Sequence, residues 1–218
     1  MKILIKFASR SRPEKFFMAL DNIFSLSKSD DLSVLCSFDS DDFTMNNDEV
    51  RGRLLNYPKV RYYYGDSKTK VEAINADMDK AGNYDILLVH SDDMVWEVVG
   101  FDLIVQSAFD NFKGLVHYPD QKAGPALITY PMMHREYFQR DGWIYHPDFF
   151  SVYADNFQQD LARRRGLYKF VNQRILSHQH SMWGYGTHDS LVIRNENRDL
   201  YERDRLTWQR LLNDPQYA

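Results

Sequence analysis

One stretch constrains the chain more than any other: Tyr84-Asp85-Ile86-Leu87-Leu88-Val89-His90-Ser91-Asp92-Asp93-Met94, an apolar run that ends abruptly in two adjacent carboxylates. Ile86 to Val89 is unbroken aliphatic sequence, the pattern of a strand buried on both faces of a parallel sheet; a half-exposed strand alternates. Asp92 and Asp93 then fall at its carboxyl end. In open α/β sheets ligands bind along that edge, so the pair suits a divalent cation, a hydroxyl-bearing ligand, or both. A polar strand-to-helix turn with Asp as N-cap accounts for the same residues, and the remaining sequence has to choose between the two.

The stretches before it repeat the theme. Ile3 to Ala8 reads as a strand, followed by the polar turn Ser9-Arg10-Ser11-Arg12 and a helix opened by Pro13 and running to about Leu26, with Phe16, Phe17, Leu20, Ile23 and Phe24 at helical spacing. Leu32 to Phe38 is a second strand, again ending in acids, Asp39-Ser40-Asp41-Asp42. Val60 to Tyr64 is a third, leading through Gly65-Asp66-Ser67 into a helix that carries Lys68, Lys70, Glu72, Ala73, Asn75 and Ala76. Four strands alternating with helices indicate a parallel α/β nucleotide-binding half. The first turn lacks a glycine-rich G-x-G-x-x-G, so phosphates must be held by side chains or a metal and not by a close backbone cradle.

Beyond Trp96 the pattern predicts a helix over Glu97–Phe112, strands at Gly114–Tyr118 and Ala126–Tyr130 joined by a Pro119–Pro125 turn, and a short helix over Pro131–Phe138. Gly142–Pro147 reads as a mobile aromatic segment. Next come a helix over Asp155–Arg165 and a short strand around Tyr168–Val171. A charged C-terminal helix over Asp199–Leu212 carries Leu200, Trp208, Leu211 and Leu212 for docking. Arg163-Arg164-Arg165 in a last helical turn complements the negative helix end by about 0.3 to 1 kcal/mol and is read as structural.

Composition narrows the classes. The 218 residues suit one domain, divided as 1–95 (nucleotide-binding half), 96–190 (acceptor and catalytic half) and 191–218 (C-terminal helical segment). With a net charge of -4 and scattered basic residues there is no polyanion-binding field, so no nucleic-acid partner is expected. The single cysteine, Cys36, excludes an intramolecular disulfide, and no stretch reaches the roughly 18 apolar residues of a membrane span. The Met1–Lys6 start reads as a first strand and not a signal peptide. A soluble chain in the reducing cytoplasm is the expectation.

In their order and spacing these motifs make the chain similar to nucleotide-sugar-dependent glycosyltransferases of the GT-A fold, closest to the large inverting family 2, from Lys2 to about Asp189. The resemblance implies a Rossmann-like α/β fold with a mixed, mainly parallel central sheet flanked by helices. It implies that Ser9, Arg10 and Arg12 lie against base and ribose, that Asp39 reads the base or ribose, and that Lys70 and Asn75 in a Lys-x-x-Ala-x-Asn helix face the nucleotide. Ser91-Asp92-Asp93 resembles the family's D-x-D with serine in the first place, which gives Asp93 to Mn²⁺ or Mg²⁺ and Ser91 and Asp92 to donor hydroxyls. Asp155 in Tyr153-Ala154-Asp155-Asn156 matches the family's base, with Ala154 where an accompanying acid usually stands; a helix N-cap is the alternative role for Asp155.

His178-x-His180 corresponds to the family's C-terminal histidine, with His180 favoured as the second metal ligand and His178 as a further candidate. Gly184 and Gly186 would let a lid close over the donor. Trp143, with Ile144, Tyr145, His146, Phe149 and Phe150, is the expected acceptor platform. The implied partners are a nucleoside-diphosphate sugar, UDP-sugar favoured, and a saccharide or other hydroxyl acceptor. A nucleotidyltransferase on a similar scaffold and a non-catalytic nucleotide- or sugar-binding module are the competing functions.

Overall fold

The computed structural model describes residues 1–180, 184–185 and 188–217. Four parallel strands open the fold: β1 (Ile3–Ala8), β2 (Leu32–Asp39), β3 (Val60–Gly65) and β4 (Ile86–His90). They alternate with α1 (Pro13–Leu26), α2 (Asp48–Leu54) and α3 (Lys70–Asn75). The helix starts follow from local chemistry. Pro13 stands at the first position of α1, where its missing N–H costs nothing, and the Asn47 and Thr69 side chains cap α2 and α3.

The chain continues through β5 (Met94–Trp96), α4 (Phe101–Ala108), β6 (Leu115–His117), β7 (Met132–His134) and α5 (Arg135–Asp141). It ends with α6 (Ala154–Arg164), β8 (Tyr168–Phe170), β9 (Leu176–His178), α7 (Ser190–Asn195) and α8 (Arg198–Leu212). The central sheet has the order β3-β2-β1-β4-β7-β6-β8, and β7 alone runs antiparallel to its neighbours. β5 and β9 form a separate antiparallel ribbon with Met94 opposite His178.

The sheet is mainly parallel, with helices on both faces, as the sequence predicts. β4 is buried on both sides: Ile86 and Leu88 join the core shared with α1 and α4, while Leu87 and Val89 join the core shared with α3, α5 and α6. Each such side chain contributes roughly 1.5–3 kcal/mol by leaving water.

The second half departs from the predicted pattern. Ala126–Tyr130 is not a strand. The side chain of Gln159 holds this segment in place of a ladder, accepting from the buried Ile128 N at 2.6 Å and donating to Ala126 O at 2.9 Å. Met132–His134, expected as helix, instead pairs with the free edge of β4 and with β6, and the helix begins only at Arg135. The helix predicted over Glu97–Phe112 is confined to Phe101–Ala108, because Gly100 adopts a left-handed φ of 76° at its entrance. The ribbon β5–β9 and the helix α7 have no counterpart in the prediction.

Gly142–Pro147 is anchored. The Asn75 amide accepts from Ile144 N and Tyr145 N at 2.9 and 3.1 Å and donates to Tyr145 O at 2.7 Å. Each arginine of the Arg163–Arg165 triplet has its own structural partner: the Tyr168 ring for Arg163, Leu212 O for Arg164 and Asp141 for Arg165. Among the described residues no helix is long and apolar enough to cross a membrane.

Candidate active site

β1 is flanked by β2 on one side and β4 on the other, so successive crossovers leave it in opposite directions and a crevice opens at the carboxyl ends of these strands. A cavity of about 390 Å³ occupies that crevice. Ser9, Arg10, Arg12, Asp39, Lys70, Ser91, Asp92, Asp93, Asp155, His178 and His180 all line it, drawn from six separate regions of the chain. Asn75 and Trp143 do not. Asn75 is engaged with the 144–145 backbone, and Trp143 packs against His146 and Phe157.

The arginines of the first turn are held by carboxylates. Arg10 bonds Asp39 at 2.7 Å and Asp41 at 2.5 Å. Arg12 bonds Asp92 at 2.8 Å and forks onto Asp189 at 2.7 and 2.8 Å. Asp189 also caps α7 by accepting from Val192 N, so Arg12 ties β1, β4 and the C-terminal segment together. Lys70 makes no ion pair within 4 Å among the described residues, and its charge acts on Asp93, Asp155 and Glu196.

The adjacent acids after β4 are differentiated by their surroundings. Burial raises Asp92's pKa against the opposing charge of Arg12, and Ser9 Oγ donates to its second oxygen at 3.0 Å. Burial acts to raise Asp93 as well, but His178 and the Ser91 hydroxyl prevail and hold it far below the ordinary carboxylate range. His178 Nε2 lies 3.4 Å from Asp93 Oδ2, while Ser91 Oγ donates to Oδ1. The ribbon explains the meeting: β9 pairs with β5, which follows Asp93 directly. His180, the favoured ligand from sequence, bonds Glu196 at 2.8 Å instead. Among the described residues no three His, Cys, Asp or Glu side chains form a preformed metal cluster. Asp93 and His178 place one O and one N donor side by side, a pair that could hold a cation only if substrate phosphates and water completed its coordination.

Asp155 is the second residue of α6, and the cap position is occupied by Tyr153, a non-glycine residue in the left-handed region with φ 57°. The N-cap alternative for Asp155 therefore does not hold. Burial raises its pKa, against the N–H of Asn156 and the charge of Lys70. The loop leading to it is fixed from a distance: Asp204 in α8 accepts from the backbone N–H groups of Phe150, Ser151 and Val152 at 2.8–3.2 Å.

Of the expected acceptor platform, Tyr145 lines the cavity, whereas Phe149 is fully buried and Phe150 lies under the Arg203 guanidinium. Among the described residues Tyr153 and Tyr201 line the cavity beside Tyr145. Gly184 is left-handed with φ 80°, and the rest of the expected lid hinge, Gly186, lies outside the described residues.

Sequence reading missed Asp189, Glu196, Tyr201 and Asp204. The one local signal was at Asp189, which precedes an apolar run as an N-cap should.

No protein-family model matches the sequence, and no curated protein matches it. Solved structures do match at the level of fold. The mannosyltransferase PcManGT from Pyrobaculum calidifontis in complex with GDP-Man and Mn²⁺ superposes with a TM-score of 0.63 at 16% identity, over 79% of this chain and 54% of that one. The fold is that of the GT-A glycosyltransferases. S. aureus TarS 1-349 in complex with UDP-GlcNAc gives 0.66 at 12% identity over 99% of this chain and 68% of that one. The 4-diphosphocytidyl-2C-methyl-D-erythritolsynthase from Anaerococcus prevotii DSM 20548 gives 0.57 at 12% identity, covering 94% of this chain and 96% of that one. The chain thus spans about half of the mannosyltransferase and nearly all of the synthase.

Proposed function

We propose that this GT-A domain is a metal-dependent inverting glycosyltransferase of the cytoplasm that moves a sugar from a nucleoside-diphosphate donor, UDP-sugar favoured, to a hydroxyl of a saccharide or similar acceptor. The observation that carries the reading is the convergence on one cavity of an ionised Asp93 beside His178 and an Asp155 whose pKa burial raises. Asp93 and His178 would hold a divalent cation, Mn²⁺ or Mg²⁺, whose charge offsets that of the diphosphate; an imidazole nitrogen in the pair favours Mn²⁺. The cation assignment accordingly passes from His180 to His178.

The remaining steps belong to the chain's own groups. Lys70, which has no ion pair among the described residues, faces the diphosphate and takes up part of the charge that develops as the anomeric C–O bond breaks. Asp155 accepts the acceptor's hydroxyl proton while that oxygen bonds to the anomeric carbon from the opposite face, which inverts the configuration. Asp92, fixed by Arg12 and Ser9, offers its remaining lone pairs to donor hydroxyls. Asp39, at the end of β2, faces the nucleoside.

A melting experiment tests the cation reading. Saturation near 100-fold above Kd stabilises by about 2.7 kcal/mol, or roughly 5–10 °C for a domain of this size. Mn²⁺ with UDP should shift the wild type by that order and Asp93→Ala by far less; equal shifts remove Asp93 from the cation site.

The fold shared with the 4-diphosphocytidyl-2C-methyl-D-erythritolsynthase over nearly its whole length supports a second reading, transfer of a nucleotidyl group with release of pyrophosphate. Its products separate it from sugar transfer.

A further inference from the structure

The loop that joins β6 to β7 begins with Pro119-Asp120-Gln121, a turn by composition to which the mechanism above gives no role. Its two polar side chains both turn to His178. The Gln121 amide donates to His178 O at 2.7 Å and accepts from His178 N at 2.8 Å, standing in for a neighbouring strand on the free edge of β9. The Asp120 side chain is wholly buried. Its Oδ1 accepts from Lys122 N and Ala123 N at 2.8 and 2.6 Å, and its Oδ2 accepts from Thr129 Oγ1 at 2.9 Å. The same Oδ2 lies 3.9 Å from His178 Nδ1.

Two incomplete groups therefore face each other. A buried carboxylate is costly unless its lone pairs and charge are answered, and Asp120 has no Lys or Arg partner among the described residues. His178 Nδ1 is buried without a hydrogen bond, and the ring's other nitrogen points at Asp93. Both deficits are met if His178 carries its proton on Nδ1. At 3.9 Å the contact is too long for a hydrogen bond, and an advance of the ring by about 1 Å makes it one. Such contacts commonly tighten only when a site is filled.

We propose that Asp120 and Gln121 are positioning residues for a cation ligand: Gln121 fixes the His178 backbone, and Asp120 accepts a hydrogen bond from the His178 Nδ1–H so that the bare Nε2 meets a divalent cation beside Asp93. The inference rests on the cation reading above. Carboxylates that orient ligating histidines in this way typically alter affinity by about 10- to 100-fold.

Co²⁺ in the presence of UDP is the probe, because it reports ligands by visible absorption and by hyperfine-shifted proton resonances. The wild type should show one exchangeable shifted resonance, the His178 Nδ1 proton, that disappears in D₂O. Asp120→Asn, which retains an oxygen for the turn, should bind Co²⁺ about 10- to 100-fold more weakly and lose or displace that resonance at a similar melting midpoint; Asp120→Glu should restore part of both. Bound Co²⁺ without an exchangeable resonance in the wild type, or undiminished affinity in Asp120→Asn, overturns the assignment while leaving the cation reading intact. No Co²⁺ binding by the wild type overturns the cation reading and this inference with it. Should Asp120→Asn fail to fold, the wild-type spectrum decides alone.

Discussion

β2 and β4 both end in clustered acids, and what answers those acids differs. After β2, Asp39 and Asp41 share Arg10, and Asp42 accepts from Ser11 N at 2.6 Å and from the backbone and hydroxyl of Thr44 at 3.1 and 2.7 Å. Every carboxylate there is met by a donor within the fold. After β4, Asp92 is met in the same way by Arg12 and Ser9, whereas Asp93, among the described residues, is met at close range by a serine hydroxyl and an imidazole and by no arginine or lysine ion pair. The carboxylate of Asp155 across the cavity accepts from the neighbouring Asn156 N and has no Lys or Arg ion pair among the described residues. An acid cluster becomes a site where the fold leaves its charge incompletely balanced; elsewhere it is a fastening.

If that contrast is right, substitutions should divide between chemistry and stability. The largest effect is expected at Asp155→Asn, with turnover down by about 10²- to 10⁴-fold and UDP affinity by calorimetry unchanged; wild-type turnover would remove Asp155 as base. The pH profile sharpens the point. Asp155 accepts a proton only when ionised, so the rate falls as pH drops through its folded pKa, which burial raises. The acid limb of kcat should therefore lie above the ordinary aspartate range, and a limb at or below it would contradict the assignment. Asp42→Ala, on the fastened side, strips acceptors from a loop and should cost about 1–3 kcal/mol. That is several degrees of melting midpoint, while the increment added by Mn²⁺ and UDP stays the same. Smallest of all, Asp41→Asn touches an exposed pair and should leave both stability and the Mn²⁺ increment unchanged within error.

The same contrast explains how far the sequence could be read. β1, β2 and β4 were legible because strands buried on both faces are mainly apolar runs, and β3, at the sheet edge and half-buried, because valine and three tyrosines favour a strand; their ends fell where the polar residues begin. β5, β7 and β9 are three residues each and exist through pairing; Met132-Met133-His134 carries no strand preference of its own and becomes a strand against the edge of β4. Asp93 and Asp155, which both line the cavity, were picked out as candidates because each stands at the end of a recognisable element. The residues that complete the site were not, since their partners are remote in sequence. Asp189 meets Arg12 across 177 residues, and Gln121 meets His178 across 57. Asp204 looked like one more charge on a polar helix, yet it is buried and holds the loop that carries Asp155 into place.

The central claim is that this cavity transfers sugars, and product analysis of the purified chain with Mn²⁺ and a panel of nucleotide sugars and nucleoside triphosphates tests it most directly. The account predicts slow release of a nucleoside diphosphate from at least one nucleotide sugar, faster with a suitable acceptor and lost in Asp93→Ala. Release of pyrophosphate from a triphosphate, with every nucleotide sugar left intact, would contradict it.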